Sequence, residues 1–433
     1  MSVRVLFGLK LILWLAILAV LTGGMFSSLA LAQSQQVSVR AVAGWLPLSP
    51  LQALFACDSP ASPTLKQTPD SANPQVPLSW SEPINISRTA SDSRLPALAV
   101  DGQGVVHVVW EDGRYIFHSY RRGESWSTPL RVATGEQPAI AIDHNGIVHV
   151  VFVNEFRGNY DIYYCRWNGA FWTLPVNVSN TSGVSAIPDI AVDSYNTLYV
   201  TWTDNSLGYN VIYYGIWTGT FWINQPVPQG RGTVSTIAIG GDDIIHIVWQ
   251  DRDDLEAPYE IYHTQWDRVA WTLPENISDS ANHSTIAAMT VDDHGVAHLV
   301  WEELVGEENE IYYSMGTSLR WSQQQALSSG ESNSYLPTII VDAEGTPHVA
   351  WDELHRLPYM WRLASFDWHS GPDVADNSAG VADVALAADA ESYIHAAWSQ
   401  RADGGNWEIY YSNHAPLMPH RMRLPLLFRH GPP

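Results

Sequence analysis

The stretch AIAIDHNGIVHVVFVNEFRGNYDIYYCRWNGAFWTLPVNV, residues 139–178, decides the fold. Four runs within it, AIAID, IVHVVFV, DIYYCRW and FWTLPVNV, are enriched in β-branched and aromatic residues and alternate in polarity as strands do. The segments between them, HNG, NEFRGNY and NGA, include the Asn-Gly steps that favour tight hairpins. The unit therefore reads as four short antiparallel strands. No stretch after the N-terminal segment shows a convincing 3.6-residue period, so the class is all-β.

The same unit recurs from residue 96 onward. An aspartate column is formed by Asp101, Asp143, Asp193, Gly240, Asp292, Asp342 and Asp389. Six residues later stand His107, His149, Tyr199, His246, His298, His348 and His395. Three further on stand Trp110, Phe152, Trp202, Trp249, Trp301, Trp351 and Trp398. Seven copies with two fixed spacings, at a period of roughly 48 residues, describe a radially repeated sheet. The expected architecture is a seven-bladed β-propeller of four-stranded antiparallel blades over residues 77–414.

The ends of the repeat support closure. The last copy stops after WEIYYS at Ser412 and lacks its fourth run. An orphan run, SWSEPINIS at 79–87, precedes the first copy, with Trp80 and Pro83 where the second copy has Trp172 and Pro175. The orphan can complete the last blade and leave no open edge. Loop lengths then sort the two faces. The first-to-second turn is constant and the third-to-fourth nearly so, whereas the second-to-third loop varies from copy to copy. In an up-and-down blade the constant turns share one face. The variable loops share the other with the blade-to-blade connections, and insertions confined to one face mark the usual binding face.

The third-to-fourth turn SYRRGESWSTP at 119–129 resembles the Asp-box hairpin of sialidases and related propellers. Gly123 and Trp126 match its Gly and Trp, but Arg121 stands where the Asp belongs; Gly169 with Trp172 and Gly219 with Trp222 echo the turn. In that family the Asp-box is structural and lies away from the active site. Arg94-Leu95-Pro96 is similar to the Arg-Ile-Pro motif whose arginine grips the substrate carboxylate. Pro138, Pro188 and Pro337 fill the same repeat position, so Pro96 needs no catalytic explanation and Arg94 alone is left. The other two arginines of the family's triad have no recognisable context. Tyr259-Glu260 could mimic its Tyr–Glu pair, yet the same residues read as a blade strand. Sialidase catalytic domains also have six blades. No catalytic residue is therefore assigned, with Arg94 as the alternative if a sialidase-like activity is present.

Each column is read first as packing. Equivalent positions in different blades are spread around the ring, and a zinc ion needs its ligands ~2 Å away, so the histidine column is expected to be buried and hydrogen-bonded rather than a metal site. The tryptophans are expected to fill the wedges between blades, with sugar stacking as the lesser reading. Two residues after the Trp column come Asp112, Asn154, Asp204, Asp251, Glu303, Glu353 and Gln400. The carboxylates Asp112, Asp204, Asp251, Glu303 and Glu353 open the variable loops and are the candidate binding residues. Asp251-Arg252-Asp253-Asp254 adds charge there. They are expected to form a solvated acidic rim, with Ca²⁺ as the alternative because hard cations take several oxygens. No calcium-loop motif is present, and no cofactor is assigned.

Carboxylates outnumber Lys plus Arg by 45 to 22, for a net charge of −23. Such a surface repels phosphate backbones, so nucleic acid is not an expected partner. Residues 1–32 read as an export signal: Arg4 and Lys10, an apolar core from Leu11 to Leu21, and Ala30-Leu31-Ala32 as a cleavage site. Uncleaved, it would be the protein's contact with a membrane. Residues 33–76 are Ser- and Pro-rich, as a linker is. Cys57 and Cys165 are too few for a disulfide framework. Sequons occur at Asn85, Asn177, Asn180, Asn276 and Asn282, and the tail from 415 to 433 is basic and apolar. The chain is expected to be a secreted or surface-exposed monomer. Its expected role is non-catalytic binding of a carbohydrate or protein on the variable-loop face. The alternatives are a sialidase-like exo-glycosidase and a purely structural module.

Overall fold

The computed structural model describes residues 79–416 apart from 255, 318, 319, 331, 364–366, 403 and 404. The expected signal (1–32), the linker (33–76), Cys57 and the tail from 417 onward lie outside the described residues. Among the described residues there is no helix, hence none long and apolar enough to cross a membrane. The chain folds into a seven-bladed β-propeller, each blade an antiparallel sheet in simple up-and-down order. The first strands, defining blades 1 to 7, are Ser93–Val100, Glu136–Ile142, Ser185–Val192, Thr233–Ile239, Ser284–Val291, Tyr335–Val341 and Val381–Ala388. Each neighbours the first strand of the next blade, and the last returns to the first, so these strands line the central axis.

Closure runs through the orphan segment. Ile84–Asn85 pairs antiparallel with Trp407–His414, placing Ile84 opposite Tyr411, and Trp80 bridges His414. Ile86 donates its amide to Ile409 O at 2.8 Å, and Ile409 donates to Ser87 Oγ at 2.8 Å. Blade 6 departs most from the pattern. Its third strand, Tyr359–Arg362, is short, and Arg356–Leu357 forms a separate ribbon with Ala375–Asp376.

The core lies between blades, not within them. Seven apolar clusters each combine residues of two adjacent blades, such as Val151, Val153 and Ile162 of blade 2 with Leu198, Val200 and Trp202 of blade 3. A lone blade would expose both faces, so each depends on its neighbours for burial.

A second set of contacts joins the blades near their constant turns. Each fourth-strand tryptophan meets an aromatic ring of the preceding blade edge-on. The pairs are Trp126–Tyr411 (4.8 Å), Trp172–His118 (5.1 Å), Trp222–Tyr164 (5.4 Å) and Trp271–Tyr214 (5.1 Å). They continue through Trp321–His263 (5.0 Å) and Trp368–Tyr313 (4.9 Å) to Trp80–Tyr359 (5.2 Å). Trp80 is thus one of seven equivalent clasps, although it reaches blade 7 from the opposite end of the chain.

The asparagines of three sequons take part in the turns that follow the fourth strands. Asn85, Asn177 and Asn276 each accept an amide three residues on through Oδ1. The hydroxyls of Ser87, Ser179 and Ser278 donate to Glu408, Asp161 and Glu260 of the third strands. The Asn-x-Ser pattern is therefore used by the fold itself. We expect Trp80→Ala to lower the unfolding free energy by about 2 kcal/mol or more, as Trp172→Ala should. Chemical denaturation of both variants checks this; a Trp80 variant as stable as the parent would refute closure by the N-terminal strand.

Candidate functional site on the loop face

The aspartate and histidine columns lie toward the constant turns. Asp143 Oδ1 caps its hairpin by accepting the amides of Asn145 (2.9 Å) and Ile147 (2.8 Å), and Asp101, Asp292, Asp342 and Asp389 do the same in their blades. The other carboxylate oxygen faces the histidine, at 3.5 Å for His149 and 3.3 Å for His348 and His395. The far ring nitrogen meets a hydroxyl: His149–Tyr164 at 2.8 Å, His298–Tyr313 at 2.8 Å, His348–Tyr359 at 2.6 Å and His395–Tyr411 at 2.7 Å. In blades 1 and 4 a second histidine replaces the tyrosine, giving His107–His118 and His246–His263 at 3.0 Å. Burial holds His107, His149, His246 and His298 down at about 4, so these imidazoles are neutral near pH 7.

The Trp column is buried. Trp110, Trp202, Trp249, Trp301, Trp351 and Trp398 are all less than a tenth exposed. The carboxylates two residues later do not form the open rim expected from sequence. Asp112, Asp204 and Glu303 are buried, and Glu353 and Asp251 are half-buried. Ser91 and Ser93 donate to Asp112, Thr181 and Ser185 to Asp204, Ser280 and Ser284 to Glu303, and Ser334 to Glu353. These hydroxyls belong to the crossovers that enter each blade or to the first residue of its first strand, so the carboxylates pin the entry of each blade on the loop face. Where the side chain is long enough it also accepts the indole N–H: Trp301 to Glu303 (3.1 Å), Trp351 to Glu353 (3.0 Å) and Trp398 to Gln400 (3.0 Å).

The position one residue after the Trp column carries what the sequence reading missed. Every first strand contains a β-bulge. At each bulge one non-glycine residue has a left-handed backbone: Leu95, Gln137, Ile187, Val234, Ile286, Leu336 and Asp383, with φ between 47° and 63°. Such a conformation costs roughly 1–2 kcal/mol for an L-residue. In every case its amide is held by a side chain reaching from the preceding blade's interface. Glu111 accepts from Gln137 (3.2 Å), Thr203 from Val234 (3.1 Å), Gln250 from Ile286 (2.9 Å), Glu302 from Leu336 (2.7 Å) and Asp352 from Asp383 (2.8 Å). Blade 2 has Val153 at this position, and Gln137 substitutes by accepting from Ile187 at 3.1 Å. Blade 7 has Ser399, which donates to Asp383 (2.7 Å), and Asp383 accepts the Leu95 amide at 3.3 Å. Pro96, Pro138, Pro188 and Pro337 directly follow bulge residues, where a missing N–H is tolerated.

These latches surround the axis on the loop face, since first strands begin there. Arg94 belongs to this ring: its Nε lies 3.4 Å from Asp383, and its guanidinium sits 4.3 Å from the ring centroid of Trp407. Tyr259 and Glu260 are in blade 4, where Glu260 accepts from Ser278 and Ser280 and Tyr259 packs on His283. The fold does not bring them to Arg94. Arg121, at the Asp-box carboxylate position, instead contacts Tyr411 of blade 7 at 3.3 Å.

Beyond the latches, the variable loops project side chains into solvent. Phe156, Leu207, Tyr209 and Leu354 are each about half exposed. A cleft of about 240 Å³ opens between the crossover after blade 5 and blade 6, lined by Ser328, Ser329, Ser332, Glu353, Arg356 and Asp373. Arg356 Nε there lies 3.5 Å from Glu353 and 3.2 Å from Asp373.

No family model matches the chain, and no curated protein sequence does. Among solved structures, its backbone is similar to that of an ulvan lyase, with a TM-score of 0.54 and 9% identity over 76% of this chain and 95% of that one. It is similar to a fungal alcohol oxidase in complex with copper, with a TM-score of 0.53 and 12% identity over 78% and 76%. A protein of unknown function from Dyadobacter fermentans gives a TM-score of 0.51 and 11% identity over 79% and 100%. At these identities the likeness shows the propeller fold.

Burial raises the Glu111 carboxyl to about 7 from an ordinary 4.5, with Glu136 adding to the effect. A raised folded-state value favours folding below the unfolded value and loses that contribution as pH rises through about 7. Glu111→Gln keeps an oxygen for the Gln137 amide without the buried charge. Its melting temperature should exceed the parent's at about pH 8, with the gap shrinking toward about pH 5. Glu111→Leu, which orphans the amide, should destabilise by roughly 1–3 kcal/mol. A pH-independent gap for the Gln variant would contradict this account of the latch.

Proposed function

We propose that the protein is a secreted or surface-exposed, non-catalytic recognition propeller that binds a carbohydrate or protein ligand on the variable-loop face. One observation carries this reading. The carboxylates around the axis are committed to backbone amides of the next blade, and those at the loop bases to hydroxyls where the chain enters their own blade, while the loops above them present exposed Phe156, Leu207 and Tyr209. A glycosidase of the usual kind needs two carboxyl groups free to flank one bond. A recognition surface needs exposed rings on loops held by a rigid frame.

Asp112, Asp204, Asp251, Glu303 and Glu353 contribute to binding in this reading by fixing the loop bases. The 119–129 hairpin supports a distant sialidase-like origin for the repeat, with Arg121 in place of the carboxylate. Neighbouring folds include an ulvan lyase bound to a glucuronic acid–rhamnose sulfate unit, which is in keeping with a carbohydrate ligand.

The purified propeller should give reproducible signals on a glycan array and release no fluorophore from a sialoside. Turnover by the parent that Arg94→Ala abolishes would replace this reading with the sialidase-like one.

A further inference from the structure

The chain's lysines are Lys10 and Lys66, so every cation of the propeller is an arginine. On the loop face these arginines recur in one arrangement across four consecutive blades. Arg131 lies over Tyr115 in blade 1 (4.5 Å), Arg157 over Phe156 in blade 2 (5.1 Å), Arg231 over Tyr209 in blade 3 (5.5 Å) and Arg252 over Tyr259 in blade 4 (4.8 Å). All four aromatic residues border the second-to-third loop. The tyrosines of blades 1, 3 and 4 come just before or at the start of the third strand, and Phe156 ends the second.

The protein has 45 carboxylates for 22 basic side chains. In such a chain an exposed arginine has abundant acidic partners, and Arg268 and Arg356 take them. Among the described residues, Arg131, Arg157 and Arg231 enter no ion pair; each is exposed and held over a ring instead. An exposed cation–π contact is worth only about 0.5–1 kcal/mol, too little to make it a stability device. It does restrict a flexible side chain while leaving N–H donors available. Guanidinium offers those donors as a fork that matches carboxylate and sulfate oxygens, which an ammonium does not. The rings beneath supply apolar faces for a sugar, with Phe156 at 57% and Tyr209 at 49% exposure.

We propose that the loop face of blades 1–4 binds an oxyanion-bearing glycan, one carrying uronate carboxylates or sulfate esters, through its repeated Arg–aromatic stacks. This rests on the reading of that face as a glycan-recognition surface and names the chemistry it selects. The acidic body repels polyanions at long range, so binding depends on the placed arginines rather than on bulk charge.

The test compares two variants of the full chain with equal charge change. One carries Arg131→Gln, Arg157→Gln and Arg231→Gln on the loop face. The other carries Arg122→Gln, Arg166→Gln and Arg320→Gln, exposed positions toward the opposite face. Calorimetric or surface-based binding uses three probes: polygalacturonate, dextran sulfate and neutral dextran. We expect the parent to bind at least one charged probe and not dextran. The loop-face variant should lose at least tenfold in affinity, and the control should lose less than twofold. Which charged probe binds separates carboxylate from sulfate recognition. Binding of dextran alone, or equal losses in both variants, would overturn the proposal and leave glycan recognition standing. Failure to bind any probe, with signals only from protein ligands, would overturn both. Matching melting temperatures for the two variants exclude misfolding as the cause of a loss.

Discussion

A blade of this protein has no inside of its own, and the contact between one blade and the next is the constraint on which the rest depends. Apolar side chains cover both faces of every sheet, and each apolar cluster is completed by a neighbour. Two polar or aromatic devices fix the angle at which neighbours meet. Near the axis, a left-handed bulge residue gives its amide to an acceptor from the previous blade. Near the constant turns, a fourth-strand tryptophan sits edge-on against the previous blade's tyrosine or histidine. Both recur at all seven junctions, the one between blades 7 and 1 included.

The latch also gives a few of the chain's carboxylates a structural role. Glu111, Glu302, Asp352 and Asp383 are buried or half-buried at junctions, each bonded to an amide. Asp189 makes a similar contact through Thr236 (2.6 Å) and the Ile237 amide (3.0 Å), and burial raises its carboxyl. Charged acceptors make strong hydrogen bonds at interfaces where an unmet amide would cost about 1–3 kcal/mol. Glutamine and threonine serve as well at Gln250 and Thr203. What the junction requires is an oxygen for the bulge amide, supplied by Gln137 where the position holds Val153, and the charge is incidental.

The fold was legible because repetition exposes what one copy hides. The Asp-to-His and His-to-Trp spacings, and the orphan run around Trp80, fix blade number and closure without any coordinates. The site was less legible, for a specific reason. The carboxylates after the Trp column looked exposed because they open variable loops, but the serines and threonines that bury them come from the entry of the same blade about twenty residues earlier, as Ser185 does for Asp204. The latch acceptors escaped notice because their chemistry varies, from Glu to Gln, Thr and Asp, and because Val153 breaks the column. A trace was present in Pro96, Pro138, Pro188 and Pro337, whose recurrence marks a strand position that needs no N–H. The arginine–aromatic stacks left no single-spacing signal. Arg231 comes from a fourth strand and only the fold puts it over Tyr209, whereas Arg157 directly follows its ring, Phe156.

The two faces therefore divide the labour. The constant-turn face is tied by the Asp–His–Tyr relays and the tryptophan clasps, and its turn lengths barely vary, because a change there would disturb two blades together. The loop face is tied only at its base, by the latches and the crossover-pinning carboxylates. Above that base the second-to-third loops are free to differ in length and chemistry without altering the angle between blades. An insertion such as Asp251–Tyr259 changes what the surface presents and leaves the junction beneath it intact. That separation makes the loop face the part of this molecule where recognition can be specified independently of folding.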